Sequence, residues 1–96
     1  MTAVLGPDAV DRALAERGLA WQRQGAELVK TSVRQRFAGA LAYVNAVGAL
    51  AEAADHHPDM ELRWDTVTLR LSTHSDGGLT EKDLALAAQI DALDAG

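Results

Sequence analysis

Cysteine is absent from this chain of 96 residues. That absence excludes a disulfide framework, a thiolate nucleophile and a zinc site with sulfur ligands. Long apolar runs are also missing near the start, because charged residues interrupt the segment 1–20 before it reaches the roughly 18 residues of a membrane span. We therefore expect a soluble, cytoplasmic protein that is not inserted in a membrane.

Aromatic residues and basic charge are scarce. Two tryptophans, one tyrosine and one phenylalanine are the only aromatics, so alanine and leucine must fill most of the interior. A domain of this length buries only about two thirds of its unfolded surface, and a core of small residues favours association of copies. Fourteen acidic residues against nine basic ones give a net charge of −5, which disfavours direct nucleic-acid binding.

The first third of the chain predicts one helix and two strands. Pro7 and Asp8 are typical of a helix start, apolar residues follow at helical spacing, and Gly18 is a stop signal. Over residues 19–33 the composition changes to β-branched and aromatic residues, with a turn-forming glycine at residues 24–25. We expect two strands joined at that turn.

Residues 36–55 carry the strongest helical pattern. The helix should end at about His56, because His57 precedes Pro58 and a residue before proline is disfavoured in the α conformation. At 100° per residue, one side of this helix collects apolar and small residues that we expect to face a sheet. They are Phe37, Ala40, Leu41, Val44, Val47, Gly48, Ala51 and Ala54.

The next segment changes parity, which predicts a hairpin. Apolar residues occupy even positions up to Trp64 and odd positions from Val67, so one straight strand cannot place both sets on one face. A turn near residues 65–66 resolves the conflict, with Trp64 as a core residue at a strand end. This turn places His74 opposite His57, so all three histidines of the chain should meet at one end of the hairpin.

The last helix has an explicit start. Thr80 is a good N-cap, Asp83 can close a capping box, and Leu79 can pack on Leu84 as a hydrophobic staple. Residues 75–78 form a loop by composition. The predicted order is α-β-β-α-β-β-α, an α+β domain with a four-stranded antiparallel sheet and three helices packed on one face.

The clustered histidines indicate proton transfer. Histidine titrates close to neutral pH, so His56, His57 and His74 around one ligand can divide acid and base roles. Glu52 lies four residues before His56, where its carboxylate could orient that imidazole. Asp55 and Asp76 add carboxylates near the same end.

Simpler roles exist for the same residues. A His-His pair can cap helix carbonyls, Pro58 can merely stop the helix, and Asp83 can serve only the capping box. Three imidazoles could hold zinc, but adjacent histidines diverge in direction, so we rank a metal site below acid-base chemistry and expect no bound metal. Convergence of all three histidines on one point favours the catalytic interpretation.

The spacing of these residues resembles that of the pterin-4a-carbinolamine dehydratases. The string is Glu52-x-x-x-His56-His57-Pro58, five residues, Trp64, nine residues, His74, eight residues, Asp83. The likeness continues through residues 71–74, 77–83 and 86–91, and covers the chain from about Phe37 onward. Family members often carry aromatic residues in the second strand, where this chain has Ser32 and Arg34.

The resemblance implies a single domain over residues 1–96 with the fold given above. It also implies loss of water from 4a-hydroxytetrahydropterin (4a-hydroxytetrahydrobiopterin), giving the quinonoid dihydropterin, with no cofactor beyond the pterin substrate. His57 and His74 would form the acid-base pair, and His56 would bind and polarise the pterin. The remaining implied residues are Glu52, Asp55, Pro58, Ser72, Thr73 and Ser75 at the substrate, with Asp83 and Trp64 in support.

The resemblance also leaves alternatives open. Some related proteins bind other proteins, as a dimerisation cofactor or as an assembly factor, and a non-catalytic module of this kind is the main competitor. By family likeness we expect a homodimer or homotetramer. The product would be recycled for an aromatic amino acid hydroxylase pathway.

Overall fold

The computed structural model describes residues 3–95, except for the side chain of Ala95. Over that part of the chain the predicted order of three helices and four strands is confirmed. The elements are α1 (Pro7–Glu16), β1 (Gln22–Gln24), β2 (Glu27–Val33), α2 (Arg36–Ala54), β3 (Asp59–Arg63), β4 (Thr66–Leu71) and α3 (Glu81–Ala95). A short 3-10 turn at His74–Asp76 overlaps the loop predicted at residues 75–78.

The four strands form one antiparallel sheet in the order β1-β2-β4-β3. Alternate residues of the central strands, such as Leu28, Val67 and Leu69, are buried and join a core cluster with residues of all three helices. The intervening residues, such as Thr31 and Thr68, face the opposite side, where their hydroxyls lie 3.1 Å apart. The helices therefore cover one face of the sheet, as predicted, and the other face carries mostly polar residues together with Val29 and Val33.

Helix α2 packs on the core through a stripe that overlaps the predicted one but also includes Tyr43. Ala40, Tyr43, Val47 and Ala51 are its buried residues, whereas Phe37 remains 48% exposed. Leu41 is exposed as well, so the predicted face is wrong at its outer edge. The helix is apolar nearly all the way round, so composition alone does not determine which stripe the sheet covers. That same composition makes α2 the one described helix that is apolar enough to cross a membrane, which is weak evidence of a span.

The hairpin turn lies one residue earlier than predicted. Arg63 pairs with Thr66, so Trp64 and Asp65 form a two-residue turn in which Trp64 has a φ of 56°. Trp64 is 69% exposed, and its predicted place in the core is therefore wrong. The change of parity is confirmed, because Leu62 pairs with Val67 across the two strands.

The predicted cap of α3 is confirmed. The Lys82 amide donates to Thr80 Oγ1 over 3.2 Å, and the Thr80 amide donates to Asp83 Oδ2 over 2.9 Å. These reciprocal bonds satisfy two amides at the helix start, as a capping box does. Leu79 and Leu84 are both buried in the core cluster, in agreement with the predicted staple.

Candidate active site

All three histidines lie at the same end of the β3–β4 hairpin. His56 and His57 lie between α2 and β3, and His74 opens the 3-10 turn after β4. Asp59 pairs with Arg70, so the chain enters β3 and leaves β4 at one end of the sheet. If that register continued, Ser72 rather than His74 would lie opposite His57. The predicted register is therefore wrong by two residues, but the three histidines still lie at the same end of the hairpin.

His56 forms a buried pair with Asp83. Its Nε2 lies 2.6 Å from Asp83 Oδ1; the Asp83 side chain is 0% exposed and the His56 side chain 11%. The other carboxylate oxygen accepts hydrogen bonds from Thr73 Oγ1 at 2.8 Å and from the Thr80 amide at 2.9 Å. With Asp83 ionised, the carboxylate can only accept, so Nε2 of His56 is the donor and its Nδ1 is left for other partners.

His57 forms a second, exposed pair. Its Nε2 lies 2.6 Å from Glu52 Oε1, and both side chains are largely in solvent. By the same argument Nε2 donates to the carboxylate and Nδ1 remains free. We predicted that Glu52 would orient His56, and the structure assigns it to the neighbouring histidine instead.

The backbone at Asp55 explains this exchange of partners. α2 ends at Ala54, earlier than predicted, and Asp55 adopts a left-handed conformation with a φ of 50°. The Asp55 and His56 amides then close the last turn by donating to the carbonyls of Glu52 and Ala51. The chain leaves the helical path before His56, so His56 does not follow Glu52 at helical spacing.

His74 lies on a short closed loop. The preceding residue, Thr73, is bridged to Gly78 by a 2.9 Å bond from its amide and a 3.3 Å bond to its carbonyl. Gly77 turns the chain with a φ of 81°, which a residue with a side chain rarely adopts. Because Thr73 is bonded to Asp83, the backbone that carries His74 is tied to the same carboxylate as His56.

The other predicted site residues divide into two groups. Ser75 is exposed, Pro58 is half-buried and Asp55 is exposed, all close in sequence to the histidines. Ser72 and Thr73 are buried, and the Thr73 hydroxyl points at Asp83. Thr80, which we predicted only as a helix cap, also belongs here, because its hydroxyl lies 2.8 Å from that of Thr73. Its N-cap signal was visible in the sequence, but its second partner was not.

Trp64 lies away from this group within the chain. It follows β3 at the end opposite Pro58, six residues away, a separation of about 20 Å along an extended strand. Within a single chain, Trp64 does not lie next to the three histidines. It borders instead a shallow groove of about 720 Å³ on the polar face of the sheet.

The histidine group is an open surface rather than a closed pocket in the single chain. His57 and His74 are both exposed. An apolar cavity of about 310 Å³ reaches the nearby loop at Gly77, but no histidine lines it. Within residues 3–95, no three histidine or acidic side chains come together in a way that would hold a metal ion. The arrangement is two separate imidazole–carboxylate pairs with a third imidazole on an adjoining loop.

Comparison with known proteins matches this chain to one family. The model of the pterin 4 alpha carbinolamine dehydratase family matches residues 3–93. A Roseiflexus castenholzii protein, provisionally named pterin-4-alpha-carbinolamine dehydratase, is 50% identical over 91 residues, which cover 95% of this chain and 97% of the relative. A Mycobacterium protein (strain KMS) with the same provisional name is 48% identical, over 93% of this chain and 94% of its own.

Two solved structures extend the comparison. A Brucella melitensis protein described as a transcriptional coactivator/pterin dehydratase has a TM-score of 0.85 at 28% identity, over 94% of this chain and 97% of its own. A pterin dehydratase-like protein described as a RuBisCO assembly factor in the alpha-carboxysome has a TM-score of 0.62 at 28% identity, over 78% of this chain and 87% of its own. This chain belongs to the pterin 4 alpha carbinolamine dehydratase family.

Proposed function

We propose that this protein is a hydro-lyase that converts 4a-hydroxytetrahydropterin into quinonoid dihydropterin and water. The observation that carries the proposal is the pairing of two imidazoles with carboxylates through Nε2, beside a third imidazole on a loop tied to the same carboxylate as His56. Each pairing leaves Nδ1 of the imidazole able to exchange a proton or a hydrogen bond with a substrate. Family membership supports the choice of a pterin.

The reaction needs one acid and one base. The C4a–O bond breaks, and the hydroxyl leaves as water after taking a proton from the acid. The base removes the proton from N5, and the electron pair of the N5–H bond forms the C4a=N5 double bond. Atoms and charge balance without a metal, a redox cofactor or a covalent intermediate.

His57 and His74 are our candidates for the acid-base pair, and His56 for binding the pterin. His56 is held by a buried carboxylate, so it offers a fixed hydrogen-bonding position at Nδ1. His57 and His74 are exposed, where an entering ring can reach them. Asp55, Pro58, Ser72 and Ser75 would flank the ring, chiefly through their backbone.

A purified-protein assay tests the proposal. The assay follows the loss of synthetic 4a-hydroxytetrahydropterin, which should be faster with the protein than without it. His74→Ala should lower turnover at least about tenfold with unchanged circular dichroism, since a positioned proton transfer contributes about 10² to 10⁴. Gln22→Ala, an exposed change in β1, is the control and should keep full activity. A wild-type protein with no activity would overturn the proposal, and unchanged turnover in His74→Ala would remove His74 from the mechanism.

A non-catalytic protein-binding module is the second candidate. The relatives described as a transcriptional coactivator and as an assembly factor favour it, as does the exposed apolar side chain of Phe37 on α2. The same assay separates the two functions. Absence of dehydratase activity, together with co-purification of one specific partner protein, would reverse our order of preference.

We further propose that copies of this single domain associate as a homodimer or homotetramer in the cytoplasm. Only 22% of the apolar 18-residue stretch of α2 is buried within the chain, so much of this helix lacks a cover. Association would bury Phe37 and Leu41. Light scattering on the wild type and on Phe37→Glu measures this directly, and a monomeric wild type would refute it. The product would supply an aromatic amino acid hydroxylase pathway.

A further inference from the structure

Two buried threonine hydroxyls are linked by hydrogen bonds to Asp83 of the His56–Asp83 pair. Thr73 and Thr80 are 3% and 0% exposed. Thr73 Oγ1 lies 2.8 Å from Thr80 Oγ1 and 2.8 Å from Asp83 Oδ2. The cap of α3 is complete without Thr73, because it consists of bonds among Thr80, Lys82 and Asp83. Helix capping therefore does not account for the Thr73 hydroxyl.

The direction of each hydrogen bond in this chain of groups follows from proton counting. A threonine hydroxyl has one proton. Thr73 must give its proton to Asp83, because the carboxylate has none to offer. It therefore accepts from Thr80, and Thr80 in turn accepts from the Lys82 amide. Donation runs one way, from the first turn of α3 to Asp83.

This one-way chain leaves Oδ2 of Asp83 with donors as its only partners. Oδ2 accepts from Thr73 and from the Thr80 amide, and Oδ1 faces Nε2 of His56. Both partners of Oδ2 are donors, so a proton on the carboxylate could lie only on Oδ1, where Nε2 of His56 would have to accept it. Asp83 is thus held as an acceptor, and the proton between it and His56 belongs on Nε2.

We propose that Thr73 is a positioning residue: with Thr80 it forms a hydroxyl relay that keeps Asp83 an acceptor, fixes His56 in its Nε2–H tautomer and presents Nδ1 to the pterin. The statement about the tautomer stands on the hydrogen bonds alone. The effect on turnover rests on the dehydratase function proposed above. Thr73 itself need not contact the substrate.

The test compares Thr73→Val, which keeps the shape and removes the hydroxyl, with Thr73→Ser, which restores the hydroxyl. Thr31→Val is the matched control, because it removes one hydroxyl of an exposed threonine pair on the other face of the sheet. Nitrogen-15 NMR of labelled histidine reports the tautomer directly, and with three histidines in the chain the spectrum is simple to assign.

We expect His56 to be the Nε2–H tautomer in the wild type, Thr73→Ser and Thr31→Val. Thr73→Val should show a larger Nδ1–H fraction and a kcat lower by roughly 2- to 13-fold, the rate equivalent of one hydrogen bond, with a smaller change in KM. Thr73→Ser should restore kcat.

Two results would overturn the relay. One is an Nδ1–H His56 in the wild type, which decides the question even if Thr73→Val fails to fold. The other is an unchanged tautomer in a folded Thr73→Val. A wild type that shows the expected tautomers but no dehydration would instead refute the proposed function and leave the relay standing.

Discussion

Replacing Asp83 with asparagine changes one atom at the most buried charge of the site. The carboxylate accepts from three donors, namely Thr73 Oγ1, the Thr80 amide and His56 Nε2. An asparagine side chain of the same shape has one accepting oxygen and one donating nitrogen. If the oxygen continues to serve Thr73 and Thr80, the NH₂ group faces Nε2 of His56. His56 must then accept at Nε2 and carry its proton on Nδ1.

Two effects of different size follow for Asp83→Asn. The buried hydrogen bond between residue 83 and His56 changes from charged to neutral, and a buried donor without an acceptor destabilises the fold. The free energy of unfolding should therefore fall by about 1–3 kcal/mol. For a domain of this length that corresponds to a Tm lower by about 4–24 °C. The rate of dehydration should fall by at least about tenfold, because Nδ1 of His56, which faces the pterin, would then carry a proton instead of a lone pair.

Urea unfolding, nitrogen-15 NMR of the histidines and the dehydration assay measure these effects. Asp59→Asn removes the same charge from an exposed position of β3 and should change none of the three. An Asp83→Asn protein with wild-type stability and the wild-type His56 tautomer would refute this account of Asp83.

Three further predictions concern other parts of the chain. Burial raises the pKa of Tyr43, the single tyrosine of the chain, so its hydroxyl should stay protonated in the folded protein beyond pH 10. Because the unfolded chain loses this proton more easily, the free energy of unfolding should fall as the pH rises further. Absorbance of tyrosinate at 295 nm, with and without urea, checks this. Asp55→Gly should raise the free energy of unfolding by about 1 kcal/mol in urea titrations, because Asp55 has a φ of 50° and glycine adopts this left-handed conformation freely. A less stable variant would contradict the idea that the backbone at Asp55 is strained. The Arg34 guanidinium lowers the pKa of Asp94, so this pair stabilises the fold above that carboxyl's ordinary value of 3.8 and loses its effect as the pH falls through the lowered value. Arg34→Gln should therefore cost about 0.2–1 kcal/mol at pH 7 and less near pH 2 in parallel thermal melts, whereas an equal loss at both pH values would be inconsistent with an ion pair.

Local signals made the start of α3 predictable. Thr80 and Asp83 lie three residues apart, so their capping bonds depend on the conformation of a single turn. The element order was equally accessible, because the parity change after Trp64 and the proline at residue 58 interrupt the pattern at definite positions. The same order placed the three histidines at one end of the hairpin.

Predictions that depended on a single backbone angle or on the exact position of a turn were wrong, and one long-range contact was not predicted. Because Asp55 is left-handed, the hydrogen-bond partner of Glu52 is His57 rather than His56. An aspartate in the sequence is not by itself a strong signal for that conformation. Trp64 counted as a core residue by its hydrophobicity, yet a shift of the turn by one residue exposes it. The second bond of Thr80, to Thr73, joins residues from two different elements and depends on the way α3 packs beside the end of β4.

A crystal structure with a bound dihydropterin would test the central claim most directly. We predict that the ring lies at the end of the hairpin next to Pro58, with Nδ1 of His56 and of His57 directed at it and the imidazole of His74 within hydrogen-bonding distance. A ring bound in the groove beside Trp64, or a His74 turned away from the ring, would contradict the claim that the three imidazoles serve one pterin.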